Sequence, residues 1–311
     1  MSADPIRIFC GGDRSQQLPF KVFAHSVQRH TARAVQVRTI DNALSPIPDD
    51  PRYQPYTEFS FARFVIPSLC DYAGRAVYMD SDMLVFADIG ELWDTDLQGA
   101  AIAIEKGSRD QADRGKHAAV MLLDCAKLPW KVGDIVAGLG TRYAYKALMQ
   151  VDPLLQPGMM RELIPAGWNE LDHFEPGRTR NIHYTKIVTQ PWVHALHPQG
   201  KPWVAEVARM LAEGALSADE LREEARLGYV RPSLLAELGI AEPDHAPASL
   251  EPQALLAFDN AAGFVPHRKL QARFAERKRS IAHAEAQARS EKRPWLGWYY
   301  RLRYRWRHGA N

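Results

Sequence analysis

The stretch Arg75–Phe86, RAVYMDSDMLVF, decides how this chain is read. Ala76, Val77, Tyr78 and Met79 form an uncharged run that ends at Asp80; a second carboxylate follows at Asp82, and Met83 to Phe86 is apolar again. A short apolar run of this kind reads as a buried strand. Two carboxylates at its end repel each other and resist burial unless solvent, hydrogen bonds or a cation offsets their charge. Such pairs also occur as solvated turns, so the choice falls to the rest of the chain.

Upstream, Ile6–Cys10 (IRIFC) is a second apolar run, closed by Gly11, Gly12 and Asp13, which predicts a first strand feeding a loop. Phe20, Phe23, Ala24 and Val27 recur with helical spacing, and Val35, Val37 and Thr39 alternate with Gln36 and Arg38 as a strand does. Ser45–Pro55 is a proline-rich acidic loop, and a mixed helix is expected over Phe61–Leu69 with a bend at Pro67. Further strands are expected at Ala100–Ile104 and Ala118–Leu123. This alternation predicts an α/β fold, Rossmann-like, with a mainly parallel sheet flanked by helices. In such sheets ligands bind beyond the carboxyl ends of the strands, where Asp13 and Asp80 both fall.

Beyond Trp203 the texture changes. Val204–Ile240 is rich in Ala, Leu and Glu, and Ser217 with Glu220 fits a capping box. A proline-containing linker and a basic helical stretch over His267–Lys292 follow, then an aromatic, arginine-rich end. The expected division is 1–203 as the catalytic domain, 204–265 as a helical extension and linker, and 266–311 as a basic tail.

The 311 residues, 46% hydrophobic and 24% charged, can bury one sizeable core and a smaller appendage. Cys10, Cys70 and Cys125 lie far apart with no CxxC spacing, which argues against a zinc site or disulfide framework and for a reducing compartment. No export signal or membrane-spanning apolar run is visible, so a cytoplasmic location is expected. The net charge of +2 hides a polarity: Arg268–Asn311 carries thirteen Lys and Arg against three Asp and Glu.

Asp-x-Asp at a strand end offers two oxygen ligands to a hard divalent cation, with Ser81 as the spacer around which the chain turns. His183, in NIHYTKIVTQPW, is the candidate third ligand, with His173, His194 and His197 as rivals. An imidazole beside two carboxylates suits Mn²⁺ better than Mg²⁺, which prefers oxygen throughout; Mg²⁺ is the alternative.

Taken in order, IFCGGD with Asp13, FSFARFVIP with Arg63, RAVYMDSDMLVF, AAVMLLD, IPAGWNELD and HYTKIVTQPW make the sequence resemble glycosyltransferase family 8, a GT-A-fold family using nucleotide sugars with Mn²⁺. The resemblance spans Ile6 to Trp203 and is strongest to a bacterial branch carrying WN and HYT…QPW elements. It implies that Asp80, Asp82 and His183 hold the metal, with Asp80 also near the ribose. It further implies that Asp13 helps hold the nucleotide and that Arg63 reaches donor phosphate or sugar hydroxyls. Three departures stand out. His117, Ala118 and Ala119 replace the usual Asn and Gly; the acidic and Gln pair that meets the donor sugar has no clear counterpart, though Gln150 and Asp152 are in the region; and Gln190 stands where a phosphate-binding Lys is usual. Lys186 or Lys201 could restore that charge. No carboxylate stands out as a nucleophile, so the catalytic residue is unassigned, and the resemblance implies retention by front-face attack. Asn169 and Trp192 read as structural or acceptor-lining.

The expected reaction is transfer of a hexose-type sugar from a UDP-sugar to a cell-surface glycan or lipid-linked acceptor. A catalytically impaired binding protein of the same fold is the alternative. A haloacid dehalogenase-type phosphatase fits poorly, because its nucleophile strand normally lies near the amino terminus and is followed by Thr or Val where Leu84 stands. Between Trp295 and Trp306, six aromatic residues interleave with Arg301, Arg303 and Arg305. That mixture suits an anionic membrane surface at the inner face better than nucleic acid.

Overall fold

Short apolar runs, buried on both faces, build the centre of the main sheet. The computed structural model describes residues 4–107, 117–242 and 246–292, together with 299, 302, 303, 305 and 306. The strands are β1 (Ile6–Gly11), β2 (Val35–Thr39), β3 (Arg75–Asp80), β4 (Met83–Val85), β5 (Ile102–Glu105), β6 (Val120–Asp124), β7 (Met160–Ile164), β8 (Glu170–Leu171) and β9 (Asn181–His183). Six of them form one sheet in the order β2-β1-β3-β6-β5-β7. β1 is parallel to both β2 and β3, and β5 is parallel to β7; only β6 is reversed against its two neighbours. The fold is therefore α/β with a mainly parallel sheet flanked by helices, as the alternation of elements implied.

Each face of this sheet has its own core. Phe9, Tyr78, Met121 and Ile104 point to one side, against Phe61, Phe64, Ile66 and Trp130. Ile8, Val77, Met79 and Leu122 point to the other, against Phe23 and Val27 of α1 (Gln17–Arg29). Burying each such side chain contributes about 1.5–3 kcal/mol. The register pairs Cys10 with Met79 and Gly11 with Asp80, so the loops leaving β1 and β3 emerge side by side.

After Asp82 the chain leaves this sheet. β4 enters a second sheet of order β4-β9-β8, antiparallel to β9 with Met83 opposite His183. The expected helix over Phe61–Leu69 is instead a 3-10 turn, Ala62–Val65, running into a single α-turn, α2 (Ile66–Leu69). Pro67 opens that turn, where its missing N–H costs no hydrogen bond. Short helices α3 (Gly90–Trp93), α4 (Val132–Ala137) and α5 (Tyr145–Met149) complete the first two-thirds.

The later helices are α6 (Gly200–Ala212), α7 (Ala218–Arg226), α8 (Ser233–Glu237), α9 (Pro252–Ala261) and α10 (Arg268–Lys292). The Ser217–Glu220 capping box opens α7 with both of its hydrogen bonds in place. A third core joins α6, α7 and α8 to α1, β4 and β9 through Trp203, Val207, Leu221 and Leu234 against Leu18, Val22, Leu84 and Ile182. Trp192 sits in it with its ring centroid 5.4 Å from that of Trp203. Buried Glu206 of α6 accepts from Arg29 and pairs with His25, both on α1. Among the described residues no helix is long and apolar enough to cross a membrane. Of the aromatic tail, Trp295, Trp298, Tyr300, Arg301 and Tyr304 lie outside the described residues, while Tyr299, Arg303, Arg305 and Trp306 are exposed.

Candidate metal and nucleotide site

Asp80 ends β3, Asp82 precedes β4, and His183 ends β9 opposite Met83, so the two sheets meet where these side chains converge. Their ligand atoms all lie within 4.8 Å of one another, the one such group of three found among the described residues. His183 Nε2 stands 3.2 Å from Asp82 Oδ1 and 3.6 Å from Asp80 Oδ2. Two ligands sharing one cation at bond lengths of about 2.1 Å lie about 3–4 Å apart, so the spacing fits a shared ion.

Each group is held by its second atom. Asp80 Oδ1 accepts from the Tyr78 hydroxyl at 2.6 Å, and that hydroxyl accepts from Arg63 at 3.1 Å. Asp82 Oδ2 accepts from the Gln190 amide at 2.9 Å. His183 Nδ1 donates to Asn169 Oδ1 at 3.0 Å, so Nε2 is the nitrogen aimed at the carboxylates, and in the neutral imidazole it carries the lone pair. His183 is fully buried, and its Nε2 has no hydrogen-bond partner. A lone pair facing two carboxylates is repelled by them, and a divalent cation shared by the three removes that repulsion. The donor set therefore fits the implied metal, on the orphaned imidazole nitrogen rather than on the acids alone.

Asn169 is itself positioned. Buried Glu105, at the end of β5, accepts from the backbone N–H of Gly167 at 2.6 Å and of Asn169 at 3.2 Å. Burial raises its pKa, and those two bonds work against the rise. Gly167 has φ +97°, and a Cβ there would lie 2.5 Å from the Arg178 carbonyl oxygen, so only glycine lets this loop pack against the chain entering β9.

Arg63 lies in the wall beside Asp80. Its guanidinium stacks 4.5 Å above the Tyr78 ring, donates to the Ala118 carbonyl at 2.9 Å and stands 3.6 Å from Asp80 Oδ1. Burial opposes its charge, but Tyr78 and Asp80 outweigh that and raise its pKa. Burial likewise pushes the Tyr78 phenol well up, which keeps it a donor to Asp80.

The other candidates fall into separate places. Asp13 caps the 3-10 turn Arg14–Gln16, accepting from the Ser15 N–H at 2.8 Å, at the same sheet edge as Asp80. Lys186 is exposed, between Thr185 and Ile187, which do line the cavity. Lys201 is exposed on α6. Among the rival histidines, His197 pairs with Asp172, His194 accepts from the Leu196 N–H, and His173 is exposed.

The cavity beside the carboxylates measures about 410 Å³. Asp80, Asp82 and Arg63 form its inner wall; Tyr56, Tyr145 and Phe274 contribute aromatic surface facing them. Pockets of about 300–1,000 Å³ suit small organic ligands, so there is room for part of a nucleotide sugar beside the metal group. Two contributors escape sequence reading, His267 and the inner face of α10, and a third, Asn169, read as structural or acceptor-lining, is instead bonded to His183. The WN element marks Asn169 as notable without showing its partner; nothing in the spacing marks the other two.

The comparisons agree in kind. Residues 15–133, rather more than a third of the chain, match the family model for glycosyl transferase family 8. "Protein CDI" of Arabidopsis thaliana is 37% identical over 100 residues, 29% of this chain and 36% of that protein. "Glycosyltransferase 8 domain-containing protein 1" of Mus musculus is 35% identical over 86 residues, 28% of this chain and 18% of that one. The matched segments thus span about a third or less of these curated relatives. Among solved structures, the galactosyltransferase LgtC, in complex with donor and acceptor sugar analogues, overlaps with TM-score 0.47 at 15% identity, covering 65% of this chain and 95% of that one. The apo form of the glycosyltransferase GlyE of Streptococcus pneumoniae TIGR4 overlaps with TM-score 0.46 at 16% identity, covering 68% and 64%. These overlaps are partial, and the family likeness rests on residues 15–133. It supports a glycosyltransferase.

Proposed function

We propose that the protein is a metal-dependent glycosyltransferase that moves a hexose-type sugar, with retention, from a UDP-sugar to a cell-surface glycan or lipid-linked acceptor. The observation that carries this reading is the buried His183 Nε2, unpartnered and aimed at Asp80 and Asp82 on the wall of a ligand-sized cavity. Asp80, Asp82 and His183 would hold Mn²⁺, with Mg²⁺ the alternative; once bound, the ion neutralises the diphosphate and offsets the charge that builds on departing UDP.

The protein's own part is preorganisation. Tyr78 and Arg63 hold Asp80 turned so that Oδ2 faces the imidazole, and Gln190 holds Asp82 by its Oδ2 so that Oδ1 faces the same nitrogen. Arg63 stands where a guanidinium can also reach a donor hydroxyl or phosphate oxygen. Asp13, at the neighbouring strand end, is proposed to contact the nucleoside, and Lys186 to meet the diphosphate from the rim. In this reading residues 1–203 carry the donor site, 204–265 brace it and the basic tail meets an anionic membrane at the cytoplasmic face, near its acceptor.

The test is UDP binding by titration calorimetry with and without Mn²⁺. Binding should be tight only with the metal, and Asp82→Asn and His183→Ala should abolish the metal-dependent part while melting temperature and circular dichroism stay near wild type. Unchanged affinity in both variants would refute the site. Hydrolysis of a UDP-hexose by the wild type separates an enzyme from a binding protein.

A further inference from the structure

The carboxyl-terminal segment reaches into the site from far along the chain. His267 is buried, with left-handed backbone (φ 47°), a conformation that persists where the surroundings over-determine it. Its Nε2 lies 2.8 Å from Gln190 Oε1, and its ring sits edge-on to Trp192 at 6.3 Å. The Gln190 amide nitrogen donates to Asp82 Oδ2 at 2.9 Å and to the Tyr184 carbonyl at 2.7 Å. Two acceptors on that nitrogen fix which end of the amide is oxygen. Gln190 Oε1 must therefore accept, and His267 Nε2–H must donate.

α10 continues from this anchor across the cavity. Leu270 and Phe274 line the same space as Asp80 and Asp82. Arg273 pairs with Glu58 at 3.1 Å, and Arg277 stacks 3.9 Å over Tyr56 while donating to the Gln54 carbonyl. Residues 270, 273, 274 and 277 are one helical stripe, so a single face of α10 serves as the outer wall.

We propose that the carboxyl-terminal segment is a working part of the donor site, with His267 a positioning residue that orients Asp82 through Gln190. The inference rests on the metal reading above and goes beyond it. The Gln190 amide holds Asp82 Oδ2 through its nitrogen, and its buried oxygen needs a donor of its own for that orientation to persist. His267 supplies that bond, so the orientation of a residue at the metal group depends on α10 being docked.

The experiment measures Mn²⁺ affinity in the presence of UDP, from the electron paramagnetic resonance signal of free Mn²⁺, on full-length protein. His267→Ala should weaken Mn²⁺ binding about 10–100-fold, the usual cost of losing an outer partner of a ligand. His267→Gln keeps an N–H donor at similar reach and should restore most of it. Both variants carry the same left-handed backbone, so their difference reads the donor. In a Gln190→Leu background, His267→Ala should cost nothing more, because the route is already cut. Wild-type affinity in His267→Ala overturns the inference, as do equal losses in the Ala and Gln variants or additive losses with Gln190→Leu, which would trace the effect to packing. If wild-type protein takes up no Mn²⁺, the metal reading itself fails.

Discussion

At the scale of single residues, the site works by committing one atom of each group so that another is aimed. Asn169 shows this most simply: its side-chain oxygen accepts a hydrogen bond from His183 Nδ1, which leaves Nε2 as the ring nitrogen that faces Asp80 and Asp82. Asn169→Ala should therefore weaken Mn²⁺-dependent UDP binding about 10–100-fold with little change in melting temperature, whereas Asn169→Asp retains an acceptor and should stay near wild type. Calorimetry on the two variants checks this; an Ala variant that binds like wild type would remove Asn169 from the site. Asp80 and Asp82 were legible in the sequence because two acids at the end of an apolar run contradict the run's own burial. His183 was legible by its element, not by geometry. Gln190 stood out only as a departure from the family pattern, and its bond to His267 was not legible at all, because a hydrogen bond between residues 77 apart leaves no periodic trace.

At the scale of elements, the first strands and the first helix follow their apolar spacing closely, and the Ser217 capping box opens α7 as read. What the spacing could not show was that β4 changes sheets after Asp82. Strand pairing depends on partners, and β9, its partner, is only three residues long. The docking of α10 carries its own pH dependence. Burial lowers the His267 pKa to about 4 from an ordinary 6.5, against the weaker upward pull of Asp13 and Asp82. The docked state holds this imidazole neutral, while the released state takes up a proton as pH falls below 6.5. Docking is thus fully stabilised above that pH and loses up to about 3 kcal/mol as pH falls to 4. Hydrogen exchange over residues 268–277, corrected for its intrinsic rate, should show protection falling between pH 6.5 and 4.5. Equal protection at both would rule the dependence out, and His267→Gln should flatten it.

At the scale of the whole molecule, charge is divided along the chain: residues 268–311 carry the excess of cations and the remainder is acidic. Part of that excess is spent internally, since Arg273 and Arg277 face the loop before the site. The tail beyond α10 keeps four arginines after residue 300, and at an anionic surface each contributes about 1 kcal/mol. Deleting residues 295–311 should release the protein from phosphatidylserine vesicles in cosedimentation at low salt while leaving UDP binding intact. Equal sedimentation of the two forms would assign membrane contact elsewhere or nowhere.

The docking of α10 also sets an order of assembly. Chains fold as they are made, amino-terminal parts first. The six-stranded sheet and the Asp80–Asp82 turn can form early, and His183 joins them when β9 emerges. The wall carrying Leu270 and Phe274 comes only with α10, after every other described helix. A growing chain thus holds Asp80, Asp82 and His183 open to solvent for the whole interval between those two events, and the cavity gains its outer wall only at the second.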